Sequence, residues 1–134
     1  AEADFSSSVN KTKLVFQTAN SGSATDSLSL TGDGRGVSQY TAKMWCAANG
    51  TGTVAIIDSH NVSSLSDHET GQLGMNYTVS MGNANYAPIV NAWQGYAATF
   101  GAMDIGTSTF KATCSNGSAY TDFNRVNAIV FGDG

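Results

Sequence analysis

Ionic side chains are what this chain has least of. Of its 134 residues only 12% are Asp, Glu, Lys or Arg, about half the share of roughly 25% usual in soluble domains. The six basic residues, Lys11, Lys13, Arg35, Lys43, Lys111 and Arg125, are scattered, and the net charge is −4. A nucleic-acid surface gathers its cations on one face, and an anionic membrane surface needs a polybasic segment, so neither is an expected partner. No apolar run approaches the roughly 20 residues of a membrane-spanning helix, which excludes helical membrane insertion. Two cysteines and two histidines do not furnish a convincing structural zinc site, and no metal or other cofactor is expected.

Catalytic signatures are missing too. There is no Gly-x-Ser-x-Gly elbow, no phosphate-binding glycine loop with lysine and no His-Glu-x-x-His. Glu2 and Glu69 are the only glutamates, and the aspartates lie largely in turns, which leaves little for paired-carboxylate chemistry. Serines are abundant, so their coexistence with histidine says nothing of a triad. The chain reads as a non-enzyme.

What is present is alternation. In Val37–Asp58, Tyr40, Ala42, Met44 and Cys46 fall on one side of a period-two pattern and Thr41, Lys43 and Trp45 on the other, as a half-buried strand requires. Asn49-Gly50 then supplies a backbone that tolerates positive φ, and Thr53–Ile57 resumes β-favouring residues, so a hairpin is predicted. Leu73–Met81 alternates strictly, Lys13–Thr18, Ser27–Thr31 and Ser108–Cys114 do so over shorter spans, and Val126–Phe131 is a last apolar strand. Ile89–Met103 approximates helical spacing, but Gly95 and Gly101 would each weaken a helix by roughly 1 kcal/mol, which favours a strand pair. Ser59–Gln72 has almost no large apolar residue and reads as a long exposed connection. The expected fold is all-β: one antiparallel β-sandwich or jelly-roll-like domain over residues 11–134, of about eight short strands, with room for a short C-terminal helix from Asp122. Residues 1–10 form an N-terminal arm whose only large apolar groups are Phe5 and Val9.

Cys46 and Cys114 each sit on the apolar side of an alternating strand, so a buried bridge between two strands is expected; the competing reading is a pair of free buried thiols. The chain opens Ala1-Glu2-Ala3-Asp4, which fits release by signal-peptide cleavage and an extracellular or cell-surface location, although methionine removal would look the same. The cysteine spacing invites comparison with immunoglobulin domains, whose markers are a Trp after the first Cys and a Tyr two before the second. Here Trp45 precedes the first cysteine and Ala112 stands two before the second, so the comparison fails. In length, β content and a helical end the chain resembles, more loosely, the coat protein of small RNA phages. That resemblance implies a sheet facing RNA with basic residues, which this sequence lacks.

Two clusters are candidates for binding. Tyr86, Trp93, Tyr96 and Phe100 form an aromatic run interleaved with Asn83, Asn85, Asn91 and Gln94, able to stack on a sugar or cover a neighbouring subunit, the plainer reading being core. Asp58, His60, Asp67, His68 and Glu69 bring imidazoles beside carboxylates, but on a polar stretch the plainer reading is a solvated connection. Sequons begin at Asn10, Asn49, Asn61, Asn76 and Asn116; most fall in expected turns where a glycan could sit, and Asn76 lies in a strand and would need an outward face. The leading expectation is a structural subunit that polymerises with copies of itself into a pilin- or fimbria-like surface filament. A carbohydrate-binding module or adhesin, with glycans as partner, is the alternative, and a viral coat protein the minor one.

Overall fold

The computed structural model describes residues 12–32, 34–38, 40–93 and 98–132. Every regular element among them is a strand. In chain order these are β1 (Leu14–Thr18), β2 (Thr25–Leu30), β3 (Gly36–Val37), β4 (Met44–Asn49), β5 (Ala55–His60), β6 (Val62–Glu69), β7 (Gln72–Tyr77), β8 (Tyr86–Trp93), β9 (Thr99–Met103), β10 (Thr109–Ser115) and β11 (Arg125–Gly132). They form three antiparallel sheets. The chain divides into two compact units, Ala1–Thr41 and Ala42–Gly134. The arm residues Phe5 and Val9, and the sequon at Asn10, lie outside the described residues.

In the first unit the strands run β1-β2-β3. Leu14 pairs with Leu30 and Phe16 with Leu28, so one face of this small sheet is aliphatic and aromatic. Leu14, Phe16 and Leu30 are nevertheless 55%, 51% and 41% exposed. On the other face Val15, Ser29 and Val37 are in register, and Ser29 is buried.

The second unit is β-sandwich-like. One sheet has the order β6-β7-β10-β9 and the other β5-β4-β11-β8. Alternation decides which residues they share. Met44, Cys46 and Ala48 of β4 and Val126, Ala128 and Val130 of β11 join Leu73, Met75 and Tyr77 of β7 and Phe110, Ala112 and Cys114 of β10 in one buried cluster. Met44, Met75, Phe110 and Val130 are wholly inaccessible.

Several expectations are corrected. Eleven strands among the described residues replace the roughly eight anticipated from turn signals. There is no C-terminal helix among the described residues: Asp122 precedes β11, whose alternate residues are drawn into the core. Ser59–Gln72 is no long connection, because it holds the end of β5 and all of β6, with Leu65 opposite Met75. β6 is a sheet edge, so two partly buried aliphatic side chains, Val62 and Leu65, serve where an interior strand would need more. Tyr40, expected on the buried side, is 88% exposed, since the strand begins only at Met44. Ile89–Met103 does hold two strands, β8 and β9, but they belong to different sheets.

Asn61 turns the chain from β5 into β6. Its φ is 58°, the left-handed region that asparagine tolerates better than most residues. Its side-chain nitrogen donates to the carbonyls of Lys43 and Val79, both at 3.1 Å, and its oxygen accepts from the Val79 N–H at 2.8 Å. One amide thus ties together segments 18 residues away on either side. Asn61→Ala is expected to cost roughly 3 kcal/mol in urea denaturation, and Asn61→Gly roughly 1 kcal/mol less because glycine keeps the backbone angle. A glycan at Asn61 would replace one of the two Nδ2 hydrogens and so cost one of the bonds to the Lys43 and Val79 carbonyls.

Candidate functional site

The outer face of the β5-β4-β11-β8 sheet collects the most unusual surface of the second unit. The alternation that sends Met44, Cys46 and Ala48 inward sends Trp45 and Ala47 outward, and the same rule on β8 puts Val90 and Ala92 towards the core and Ile89, Asn91 and Trp93 away from it. Register then aligns these residues in rows. Ile89, Ile129, Trp45 and His60 form one row across all four strands, and Asn91, Asn127, Ala47 and Asp58 form the next. Arg125 and Trp93 face each other at the end of β11 and β8.

Exposure here runs against side-chain type. Trp93 is 68%, Ile89 57% and Trp45 39% exposed. Both tryptophans of the chain therefore look outward from one sheet. Isolated apolar surface residues are ordinary, but a contiguous set of large ones marks a contact surface. The polar groups between them are already tied to one another: Arg125 Nε donates to Asn127 Oδ1 at 3.2 Å, and Asn127 Nδ2 donates to Asn91 Oδ1 at 2.9 Å. Asp58 Oδ1 accepts from the Ser59 N–H at 2.8 Å.

The residues singled out from sequence are divided by this geometry. Trp93, Asp58 and His60 share the face, Trp93 on edge strand β8 and the other two on edge strand β5. Asp67, His68 and Glu69 lie on β6 of the opposite sheet, so the supposed acidic and imidazole cluster is split between two layers. His68 has a packing role: its Nε2 would stand 2.7 Å from a Cβ on Gly74, so the ring lies across that glycine. Among the described residues no group of three or more His, Cys, Asp or Glu side chains gathers in a metal-binding arrangement. Tyr86 is buried rather than available to a ligand, and its hydroxyl donates to the Gly106 carbonyl at 2.7 Å. Gln94 and Tyr96 fall outside the described residues. The sequence reading overlooked Trp45, Ile89, Asn127 and Arg125 as members of this face, although the period-two pattern had already separated Trp45 from its buried neighbours.

No protein-family model, curated protein or solved structure matches the chain. The face is therefore read from its own chemistry.

The remaining sequons differ in availability. Asn49 uses its amide nitrogen to donate to the carbonyls of Thr51 and Thr53 at 2.8 and 3.2 Å. Asn76 donates to the hydroxyls of Ser64 and Ser66. Asn116 is exposed in a turn and engages its side-chain oxygen, which accepts from the Ser118 and Ala119 N–H groups at 3.0 and 2.9 Å.

Cys46 and Cys114 both point into the core, as alternation required, but they are free thiols, not the expected bridge. They stand on different sheets and beside different carboxylates. Burial pushes each thiol from its ordinary 9.0 up to about 11, with Asp58 adding to the shift of Cys46 and Asp122 to that of Cys114. Because the folded protein holds these protons more tightly than the unfolded chain, the associated stability is complete below pH 9 and is lost as pH rises from about 9 to about 11. The unfolding free energy is expected to drop by about 2–3 kcal/mol per thiol across that window. A Cys46→Ala, Cys114→Ala variant should lack that part of the decline, and thiol counting in non-reducing denaturant should find both sulfurs titratable.

Proposed function

We propose that this chain is a non-enzymatic structural subunit that binds copies of itself, at the cell surface or outside the cell, in a filament of the pilin or fimbrial kind. The observation that carries this reading is the outer face of the β5-β4-β11-β8 sheet, where Trp45, Trp93 and Ile89 are exposed together. Aromatic and aliphatic groups at the centre with few charges are what protein contact surfaces have and ordinary surfaces lack. The face is also self-complementary in charge. It carries Arg125 towards one edge and Asp58 on the opposite edge strand, so two copies packed face to face about a two-fold axis bring the guanidinium of one over the carboxylate of the other.

Scarcity of ions supports the same reading, because little charge must be desolvated when such faces meet. The apolar β1-β2 face of the first unit, with Leu14, Phe16 and Leu30 exposed, offers a second contact, and two different contacts per subunit generate a chain of subunits instead of a closed pair. The arm, residues 1–10, is assigned the role of pairing with an open sheet edge of the next copy, through main-chain hydrogen bonds.

Electron microscopy of the purified protein over a range of concentrations tests this reading. Filaments are expected; closed shells would favour the viral coat alternative, and solitary particles at every concentration would sink self-assembly. Deletion of residues 1–10 is expected to abolish polymers while leaving a cooperative unfolding transition, and unchanged polymers would remove the arm from the joint. The carbohydrate-binding alternative is favoured by one observation, the Asn91–Asn127 amide pair beside Trp93. It predicts glycan binding that disappears in Trp93→Ala with no shift in melting temperature.

A further inference from the structure

At one end of the other four-stranded sheet, β9, β10 and the loop that follows enclose an open groove of about 460 Å³. Thr99 and Gly101 of β9, Thr113 and Ser115 of β10, and Ser118 and Tyr120 of the loop line it. The volume lies in the range of small-ligand sites, roughly 300–1,000 Å³. No charged side chain is among the lining residues.

The groove is held in shape from its backbone outward. Tyr120 pairs with Ser115 in an isolated antiparallel bridge, and the next N–H, that of Thr121, donates to the Cys114 carbonyl at 3.1 Å. The turn before it is closed twice by Asn116, whose N–H donates to the Ala119 carbonyl at 3.1 Å while its side chain accepts from Ser118 and Ala119. Tyr120 is thus fixed at its main chain while its side chain is 52% exposed. The floor is low because position 101 is glycine: a Cβ there would stand 3.1 Å from Thr113 Oγ1.

We propose that this groove binds a neutral glycan, with a sugar ring lying against Tyr120 and its hydroxyls exchanging hydrogen bonds with Thr99, Thr113, Ser115 and Ser118. Lining chemistry selects the ligand class. With no cation or anion in the wall, a phosphate, a nucleotide or a charged peptide would be desolvated without a countercharge. An apolar ligand would strip water from four hydroxyl side chains and replace none of their bonds. A polyol supplies both donors and acceptors to hydroxyls that act as either, and presents C–H groups to an aromatic ring. The site lies on the sheet opposite the proposed contact face and depends on none of the self-assembly argument.

The test is a heteronuclear NMR titration of the full chain, at a concentration where sedimentation finds single copies, with maltohexaose, cellohexaose and chitohexaose. At least one of these is expected to shift the amides of Gly101, Thr113, Ser115 and Ser118 in a saturable way. Tyr120→Ala should weaken that binding about tenfold and Tyr120→Phe by less than about threefold, because the ring and not its hydroxyl supplies the platform. Thr113→Val, isosteric and within a strand, provides a second variant should the loop change shape, and is expected to weaken binding about fivefold. Absence of shifts at these amides with all the oligosaccharides overturns the proposal. So do shifts confined to the residues around Trp93, or undiminished binding by both Tyr120→Ala and Thr113→Val.

Discussion

Replacing Gly71 by alanine should remove at least about 4 kcal/mol of stability, a large part of the 5–15 kcal/mol typical of a domain. Gly71 has φ 71°, and a Cβ added there would lie 2.4 Å from the Cys114 carbonyl oxygen and 2.7 Å from the Thr121 nitrogen. Those two atoms are hydrogen-bonded to each other, so the methyl group would enter the space of a backbone bond, and neither partner is the free end of a flexible side chain. Gly71 also donates its N–H to Asp122 Oδ1 at 2.6 Å and accepts from the Cys114 N–H at 2.8 Å. Any backbone shift that relieved the collision would disturb both bonds.

Gly117→Ala is the control. Its φ is 90°, but nothing lies within 4 Å of the added Cβ, so the cost is that of the left-handed backbone alone, about 1–2 kcal/mol. Urea denaturation followed by tryptophan fluorescence separates the two. If both glycines gave the same loss, the packing of the β6–β7 turn against β10 would not be as described.

The second large effect concerns association. A double substitution, Ile89→Asp with Trp93→Asp, is expected to convert concentration-dependent assemblies into single copies in sedimentation velocity. Both side chains point away from the core and are more than half exposed, so the folded unit should lose no more than about 1 kcal/mol. Burial of a carboxylate at each position in a face-to-face contact would strand a charge without a partner, at a cost of several kcal/mol per ion. A variant that unfolds would say nothing of the interface, so melting temperature is measured alongside. Persistence of the assemblies in a folded double variant would remove this face from the contact.

Much of the core was legible in the sequence. The period-two runs at Met44–Ala48, Leu73–Tyr77, Phe110–Cys114 and Val126–Val130 are the inner faces of β4, β7, β10 and β11, and their burial follows the pattern except at Gly74, which is buried as well. These are the central strands of their sheets, where one face must be apolar. The edge strands were harder to read. In β6 the bulged positions are Ser63 and His68 and the outward ones include Ser64 and Ser66, and a strand held mainly by main-chain bonds to one neighbour leaves little hydrophobic trace.

Tyr40 failed for a related reason, since alternation continued into residues that make no ladder. The proposed contact face was half visible. Asp58, His60 and Trp93 were noticed, but only register brings β5 and β8 to one surface with Trp45 and Ile129 between them. The cysteine bridge was inferred from two correct inward orientations, and orientation carries no information about distance across the core.

Acrylamide quenching of intrinsic fluorescence against protein concentration tests the central claim most directly, because Trp45 and Trp93 are the only tryptophans and both belong to the proposed contact. Quenching should fall by about half or more as the protein associates, since burial at an interface withdraws both rings from solvent, and the fall should vanish in the Ile89→Asp single variant. A quenching constant that stays the same from dilute monomer to concentrated assembly would contradict the assignment of this face to self-association.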